Sequence, residues 1–198
     1  MKSDINATKA TNLEEFYNTF VQEVGEGLYH HPNLKKYADQ CTTIKELGVL
    51  QGMSLALCML SENTKAVHGV DINGARIEPY LPLFQKYAEE KNIDFNFIEK
   101  SSTDWSTAQG KFEMLHIDSM HVPSHLEKEL QLHAPNITKY IVFHDTANFK
   151  HSKGLFPVIA RYITEVDQNW VIVEHNNYRV GYTVIARRDT KLPPYAEK

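Results

Sequence analysis

Short apolar runs alternate with longer helical patterns from residue 43 onward, and this alternation constrains the fold more than any other feature. The strand-like runs are TIKELG, AVHGVD, FNFIEK, FEMLHID and YIVFHD. The helix-like segments that follow them are MSLALCMLSE, RIEPYLPLFQKYAEEKN, SHLEKELQLHA and LFPVIARYITEV. Strand–helix alternation at this spacing is typical of a parallel sheet with helices on both faces.

The two ends of the chain depart from this pattern. NLEEFYNTFVQEV places apolar residues on one helical face, and HPNLKKYADQC predicts a second short helix. NWVIVEHN and YTVIARR flank a short turn and predict an antiparallel hairpin. We therefore predict one domain, with an N-terminal helical segment at 1–40 as a candidate cover for a substrate, a core at 41–188 and a short tail at 189–198.

Composition and charge exclude several classes of protein. The chain has 198 residues, is 42% hydrophobic and carries a net charge of −4, which suits one domain and does not favour a nucleic-acid partner. No apolar run is long enough to span a membrane, and no secretory signal opens the chain. Cys41 and Cys58 are therefore predicted to be reduced core thiols in a cytoplasmic protein. The sequence does not determine the oligomeric state, and a homo-oligomer is possible.

The loop after the first strand, in ELGVLQGMS, predicts a place where a ligand approaches the backbone. Gly48 and Gly52 stand four residues apart, a spacing that differs from the dinucleotide G-x-G-x-x-G pattern. Asp71 ends the second strand, where an acid can accept hydrogen bonds from both ribose hydroxyls. The combination favours a nucleoside-type cofactor over the alternative, a tight strand–helix turn without a ligand.

Two neighbouring strands end in aspartate, in HIDSMH (residues 116–121) and in FHD. Adjacent strands lie about 4.8 Å apart, so Asp118 and Asp145 are expected to converge. Two such carboxylates repel each other unless one is protonated or a cation lies between them. Oxygen ligands favour Mg²⁺, Ca²⁺ or Mn²⁺. The alternative is that both aspartates only cap the turns that follow.

Histidines surround these aspartates. His121 follows Asp118 by three residues and is predicted to face the same opening, where a group with a pKa near 6.5 suits a general base. His116 shares a sheet face with Asp118 and is expected in the core. His125 and His133, on a predicted helix, are expected to be solvated. His30 and His31 precede a helix and could face the pocket, but a surface position is favoured for them.

These motifs together resemble the class I S-adenosylmethionine-dependent methyltransferases, and more narrowly the small O-methyltransferases of the macrocin and cephalosporin-hydroxylase-like type. The resemblance rests on ELGVLQGMS, GVDI, IEKSS, the HIDSMH and FHDT pair and the final hairpin, and it covers residues 25–187. It implies a single-domain Rossmann-like α/β fold whose seven-stranded sheet is mostly parallel and ends in an antiparallel hairpin.

The resemblance also implies roles for individual residues. Asp118 would be both a cofactor contact and a metal ligand, Asp145 a metal ligand, and His121 the general base. His144 stands where metal-dependent members carry an acid, so it is either a third ligand to Mg²⁺ or Mn²⁺ or the mark of a site for a softer metal. The cofactor residues would be Glu46, Gly48, Gly52 and Ser54 at the methionine end, Asp71 at the ribose, and Ser101 and Ser102 near the adenine.

The function that follows is transfer of a methyl group from S-adenosylmethionine to an oxygen of a sugar, a phenol or another small hydroxylated molecule. Two alternatives remain. One is a nicotinamide-dependent enzyme, against which the glycine spacing and the terminal hairpin count. The other is a non-catalytic binding module on the same fold.

Overall fold

A computed structural model of the chain describes residues 9–25, 29–147 and 154–192. These described residues form seven strands: β1 Thr43–Leu47, β2 Ala66–Asp71, β3 Asp94–Glu99, β4 Phe112–Ile117, β5 Ile137–His144, β6 Trp170–Asn176 and β7 Tyr182–Arg187. The α-helices are α1 Leu13–Val24, α2 His31–Ala38, α3 Met53–Met59, α4 Leu81–Lys91, α5 Pro123–His133 and α6 Leu155–Arg161.

The strands form one mixed sheet in the order β3-β2-β1-β4-β5-β7-β6. Strands β1 to β5 pair in parallel, and β7 lies antiparallel between β5 and β6. The predicted seven-stranded, mostly parallel sheet with a C-terminal antiparallel hairpin is confirmed. Because the chain runs outward through β2 and β3 and then returns to β4 on the other side of β1, the carboxyl ends of β1 and β4 form the switch point where such sheets bind ligands.

Apolar side chains cover both faces of the central strands. In β4, Met114 belongs to the cluster under α1, α3 and α4, whereas Leu115 and Ile117 belong to the cluster under α5 and α6. Phe16 and Phe20 of α1 are fully buried in the first cluster. The N-terminal helices therefore pack on the same core as the sheet.

Two helical segments are shorter than the sequence pattern predicts. Prolines at 79 and 82 lie in the first turns of a 3₁₀ segment, Glu78–Tyr80, and of α4. Proline has no N–H to donate, which suits a helix start and not a helix interior, so the single predicted helix divides here. Likewise α6 ends at Arg161 and continues as a π-helical turn, Tyr162–Val166.

Both cysteines have the predicted character, since Cys41 and Cys58 are buried free thiols. In the parts of the chain that the structure describes, no helix combines the length and the apolar character needed to cross a membrane. Residues 1–8 of the predicted N-terminal segment and residues 193–198 of the predicted tail lie outside the described residues.

Candidate functional site

A cavity of about 640 Å³ opens at the carboxyl edge of the parallel strands. Its walls come from the loops that follow β1 to β5 and from the start of α2. This volume suits a small ligand or cofactor. The cavity is lined by His30, His31, Gly48, Val49, Leu50, Gln51, Met53, Ser54, Val70, Asp71, Ile72, Ser101, Ser102, Asp118, Ser119, Met120, His121, His125, His144 and Asp145.

The loop after β1 lies directly against the turn after β4, and Gly48 makes this contact possible. Gly48 has a φ of +84°, and a Cβ on it would lie 2.2 Å from the carbonyl oxygen of Asp118. Gly52 has a different reason to be glycine, because a Cβ there would lie 2.8 Å from the Phe84 ring. Gly52 does not line the cavity. Of the two predicted glycines, only Gly48 therefore touches the ligand space.

Asp71 fixes the same loop from the end of β2. Its Oδ2 accepts the N–H groups of Val49 and Leu50, each at 2.8 Å, and its Oδ1 accepts the N–H of Asn73 at 2.9 Å. These bonds hold Leu50 in a left-handed conformation with a φ of 53°. A carboxylate has about four acceptor positions, so Asp71 keeps capacity for a ligand in the cavity that it lines.

Glu46 lies behind the cavity wall. Its side chain is 0% exposed, its Oε1 accepts the hydroxyl of Ser54, and the same oxygen lies 3.2 Å from Nδ1 of His116. Burial raises the pKa of Glu46. Since Ser54 lines the cavity and Glu46 does not, Glu46 reaches a ligand only through Ser54. His116 is the buried core histidine that the sequence predicts.

The loop after β3 is held by α5. The Oγ of Ser102 lies 3.0 Å from Nε2 of His125, and Nε2 of His133 donates to the carbonyl oxygen of Ser102 at 2.8 Å. His133 is buried and His125 lines the cavity. The prediction that both are solvated is wrong, because the face of α5 that carries them packs against this loop. Ser101 also lines the cavity, with its Oγ 2.9 Å from Oγ1 of Thr103.

A buried carboxyl joins this loop to the turn after β4. Glu129 is 0% exposed, and its Oε1 accepts the hydroxyl of Ser119 at 2.6 Å and lies 3.3 Å from Nε2 of His125. Burial raises the pKa of Glu129. Ser102, His125, Glu129 and Ser119 thus form one polar network beneath the cavity.

The predicted convergence of Asp118 and Asp145 is present. Nε2 of His121 lies 3.3 Å from Oδ1 of Asp118 and 3.0 Å from Oδ2 of Asp145. Nδ1 of His144 lies 3.0 Å from Oδ1 of Asp118 and 3.4 Å from Oδ1 of Asp145. Two carboxylates and two imidazoles therefore meet at the floor of the cavity. Asp145 adopts a left-handed backbone conformation with a φ of 56°, which asparagine and aspartate tolerate better than most residues.

Burial and the neighbouring charges shift the pKa values of the groups in this cluster. Burial alone would raise the pKa of Asp118, but the His144 and His121 imidazoles hold it well below its usual range. The pKa of Asp145 is raised, chiefly by burial. The hydrogen bond to Asp118 raises the pKa of His121. The cluster therefore favours a positive centre between the two carboxylates, either an imidazolium or a cation.

The donor set fits a divalent metal ion. Asp118, His121 and Asp145 each offer one ligand atom, and these atoms all lie within 4.8 Å of one another. Oδ1 of Asp145 and Nε2 of His144 are buried and have no hydrogen-bond partner within the described residues. Unpartnered buried polar atoms are costly and are rare outside functional sites.

His30 and His31 line the cavity at the start of α2, so the favoured surface position is wrong and the alternative, a position facing the pocket, is the one observed. Both side chains are buried, and the His30 ring lies 4.0 Å from the His144 ring, centroid to centroid. Nδ1 of His31 lies 3.1 Å from the hydroxyl of Tyr17 in α1. Burial, with His144 nearby, lowers the pKa of His30 to about 2. Through these two rings the N-terminal segment forms part of the cavity wall.

Three exposed apolar side chains at the cavity were not predicted from the sequence. Ile72 is 73% exposed, Met120 58% and Leu50 48%. Each lies inside a quoted motif, namely ELGVLQGMS, GVDI or HIDSMH, and an exposed apolar residue just after a strand end is the signal that could have identified them. They give the cavity mouth an apolar rim.

Comparisons with known proteins identify the fold. No protein-family model and no curated protein sequence matches the chain. Among solved structures, a Staphylococcus aureus protein provisionally identified as a caffeoyl-CoA O-methyltransferase has a TM-score of 0.65 at 12% identity, with 86% of this chain and 91% of that chain covered.

Two further solved structures have a comparable structural similarity to this chain. An O-methyltransferase from Bacillus cereus, solved with S-adenosylhomocysteine, has a TM-score of 0.58 at 14% identity, covering 91% and 92% of the two chains. The N-methyltransferase NodS from Bradyrhizobium japonicum has a TM-score of 0.60 at 12% identity, covering 83% and 97%. At these identities the likeness establishes the fold and not the methylated atom. The chain has the Rossmann-like fold of the class I S-adenosylmethionine-dependent methyltransferases.

Proposed function

We propose that this protein transfers a methyl group from S-adenosylmethionine to an oxygen of a sugar, a phenol or another small hydroxylated molecule. One observation carries the proposal. A single cavity joins the loops at Gly48 and Asp71 to the cluster of Asp118, His121 and Asp145. The first part suits a nucleoside cofactor, and the second suits the activation of a hydroxyl group. The fold shared with methyltransferases supports both assignments.

The cofactor would lie along the strand ends from β3 to β4. We assign Asp71 to the ribose, and Ser101 and Ser102 to the adenine. The methionine end would meet Gly48 and Ser54, with Glu46 acting through Ser54 and Gly52 keeping α3 packed behind the loop. Asp118 lies where the cofactor and the acceptor meet, since its carbonyl group touches the Gly48 loop and its carboxylate belongs to the acidic cluster.

The chemistry is a displacement at the methyl carbon. The sulfur–methyl bond breaks as the oxygen–methyl bond forms, the sulfonium becomes a neutral thioether, and the acceptor hydroxyl loses its proton. His121 is placed to take that proton, and the Asp118 and Asp145 carboxylates stabilise the imidazolium that results. Correct orientation of the acceptor oxygen opposite the sulfur supplies much of the remaining acceleration.

The same cluster fits a divalent cation. Asp118 and Asp145 would supply oxygen ligands, and His144 or His121 a nitrogen ligand. From the sequence we propose Mg²⁺ or Mn²⁺. When bound, such an ion lowers the pKa of a hydroxyl near it and so assists loss of the proton.

Two other functions have less support. A nicotinamide-dependent enzyme would need a pyrophosphate grip, whereas the loop after β1 carries glycines only at 48 and 52, with Leu50 between them. A non-catalytic binding module would explain the cavity. It would not explain why four ionisable side chains meet at its floor, two of which, His144 and Asp145, have an unpartnered buried atom within the described residues.

The test is methyl transfer from isotope-labelled S-adenosylmethionine to a panel of sugar and phenolic hydroxyl compounds. We expect product with the wild-type protein and a loss of about 10² to 10⁴ in turnover for His121→Ala, the range for a positioned general base. His68→Ala is the matched control, because His68 lies on β2 away from the cavity. Full activity in His121→Ala would remove its assigned role, and full activity with a chelator would remove the metal.

Setting and partners also remain proposals. We propose a cytoplasmic protein that acts on a small molecule and has no nucleic-acid partner; the buried free thiols of Cys41 and Cys58 support a reducing compartment. Sedimentation equilibrium would decide whether it is a homo-oligomer.

A further inference from the structure

The distances around His121 match those of a coordination shell. Its Nε2 lies 3.3 Å from Oδ1 of Asp118 and 3.0 Å from Oδ2 of Asp145. Donor atoms held about 2.1 Å from one cation lie roughly 3.0 Å apart at right angles and roughly 3.4 Å apart in a tetrahedron. Two of the three separations thus fit one coordination shell, and all three ligand atoms lie within 4.8 Å of one another, so a cation could take the place of the proton between His121 and the carboxylates.

His144 approaches the same carboxylates from a more enclosed side. Its side chain is 14% exposed, against 30% for His121. Its ring also packs on the ring of His30, and its Nδ1 faces Oδ1 of Asp145, the buried oxygen. Here His144 is placed to donate its Nδ1–H to Oδ1 of Asp118 at 3.0 Å and to orient that carboxylate, as residues behind metal ligands commonly do.

We infer that the third ligand of the metal site is Nε2 of His121 and not His144, and that the site takes a first-row transition ion in preference to Mg²⁺ or Ca²⁺. The inference rests on the proposed function and deepens its metal site. Mg²⁺ and Ca²⁺ take oxygen ligands almost exclusively, whereas an imidazole beside carboxylates is typical of sites for Fe²⁺, Zn²⁺ and other transition ions. Mn²⁺ accepts both kinds of ligand and is a convenient probe.

This assignment makes two roles of His121 mutually exclusive. A neutral imidazole has one nitrogen lone pair. In the cation-free protein Nε2 carries the hydrogen that faces the two carboxylates, so the lone pair is on Nδ1. A cation on Nε2 would leave the hydrogen on Nδ1 and no lone pair to take a proton. His121 is therefore the general base only in the cation-free protein. In a cation-loaded protein His121 would be a ligand, and the ion would lower the pKa of the acceptor hydroxyl in its place.

Pulsed electron paramagnetic resonance of bound Mn²⁺ tests the ligand directly, because a coordinated imidazole nitrogen gives a hyperfine coupling. We expect this coupling in the wild-type protein, its retention in His144→Gln and its loss in His121→Gln. Loss of an outer hydrogen-bonding partner typically weakens metal binding about 10–100-fold. We expect a loss in that range for His144→Gln and a larger loss for His121→Gln, both measured by calorimetry with Mn²⁺ alone.

Each contrary outcome overturns the inference. Coupling that disappears in His144→Gln and persists in His121→Gln would make His144 the ligand. Bound Mn²⁺ without nitrogen coupling, displacement of Mn²⁺ by equimolar Mg²⁺, or no binding of millimolar Mn²⁺ would each contradict it. Should His121→Gln not fold, wild type and His144→Gln still decide the ligand. S-adenosylhomocysteine binding, measured separately without metal, tests the proposed function, so the two failures are distinguishable.

Discussion

The buried ring of His133 predicts that the protein loses stability in mild acid. Its side chain is 1% exposed, and its Nε2 donates to the carbonyl oxygen of Ser102. Burial lowers the pKa of His133 from 6.5 to about 4. The unfolded chain therefore binds a proton below pH 6.5 that the native protein excludes, and the free energy of unfolding falls as the pH drops from 6.5 towards 4.

The size of this effect follows from the two pKa values. A shift from 6.5 to about 4 corresponds to a full loss of about 3.4 kcal/mol, at about 1.36 kcal/mol for each unit, reached below pH 4. Relative to a pH well above 6.5, the free energy of unfolding is lower by about 0.2 kcal/mol at pH 7 and by about 2 kcal/mol at pH 5. Lowering the pH from 7 to 5 should thus cost about 1.8 kcal/mol through His133 alone.

Urea unfolding of the wild-type protein and of His133→Gln, each at pH 7 and pH 5, isolates this contribution. Glutamine retains an N–H donor for the Ser102 carbonyl group but does not titrate. Buried His30 and His31 are present in both proteins, so their effects cancel in the comparison. We expect the wild-type protein to lose about 1.8 kcal/mol more than the variant between the two pH values. Equal losses would refute the view that native His133 excludes a proton.

Three further predictions concern the cavity. Asp71→Ala should weaken S-adenosylhomocysteine binding, measured by calorimetry, about tenfold or more, since a hydrogen bond to a charged acceptor is worth about 1.5–3 kcal/mol. Asp71→Asn should lose less affinity than Asp71→Ala, and unchanged affinity in Asp71→Ala would remove Asp71 from the site. Gly48→Ala places a Cβ 2.2 Å from the Asp118 carbonyl oxygen, so its free energy of unfolding, measured by thermal unfolding, should fall by at least about 1–3 kcal/mol. A variant as stable as the wild-type protein would disprove the close approach. In metal-free protein the turnover should rise with pH, with a midpoint above pH 6.5, because Asp118 raises the pKa of His121 and only the neutral ring is a base. A pH–rate profile that is unchanged in His121→Ala would contradict this.

The sequence predicts the sheet and its carboxyl-edge acids well, for a local reason. The apolar runs that end at Asp118 and Asp145 are parallel neighbours, and parallel strands bring their carboxyl ends to one edge whatever the details of packing. The hairpin is equally local, because two apolar runs around a short turn can hardly avoid pairing.

The histidines at the cavity were mispredicted because their placement depends on packing between distant segments. His30 and His31 reach the cavity only because α1 packs Phe16 against Phe84 of α4 and α2 packs Tyr37 against Tyr140 of β5, which no local pattern reveals. For α5 a signal existed. His125, Glu129 and His133 recur every four residues, which places them on one helical face; read as one face, they would have indicated a buried polar stripe.

The site residues around the first loop show a different limit. A glycine pattern indicates that a Cβ is not tolerated, but not what excludes it. At Gly48 the excluding group is the Asp118 carbonyl oxygen beside the ligand space, whereas at Gly52 it is the Phe84 ring in the core. Likewise Glu46 was identified from its place before the turn, and only its complete burial shows that it contacts Ser54 and not the cavity.

The central claim is that the cavity holds S-adenosylmethionine beside the acidic cluster, and calorimetric titration of the metal-free protein with S-adenosylhomocysteine and with NAD tests it most directly. We predict one S-adenosylhomocysteine per chain, no heat of binding with NAD, and a stabilisation of about 2.7 kcal/mol at 100 times the dissociation constant. Binding of NAD without binding of S-adenosylhomocysteine would contradict the account.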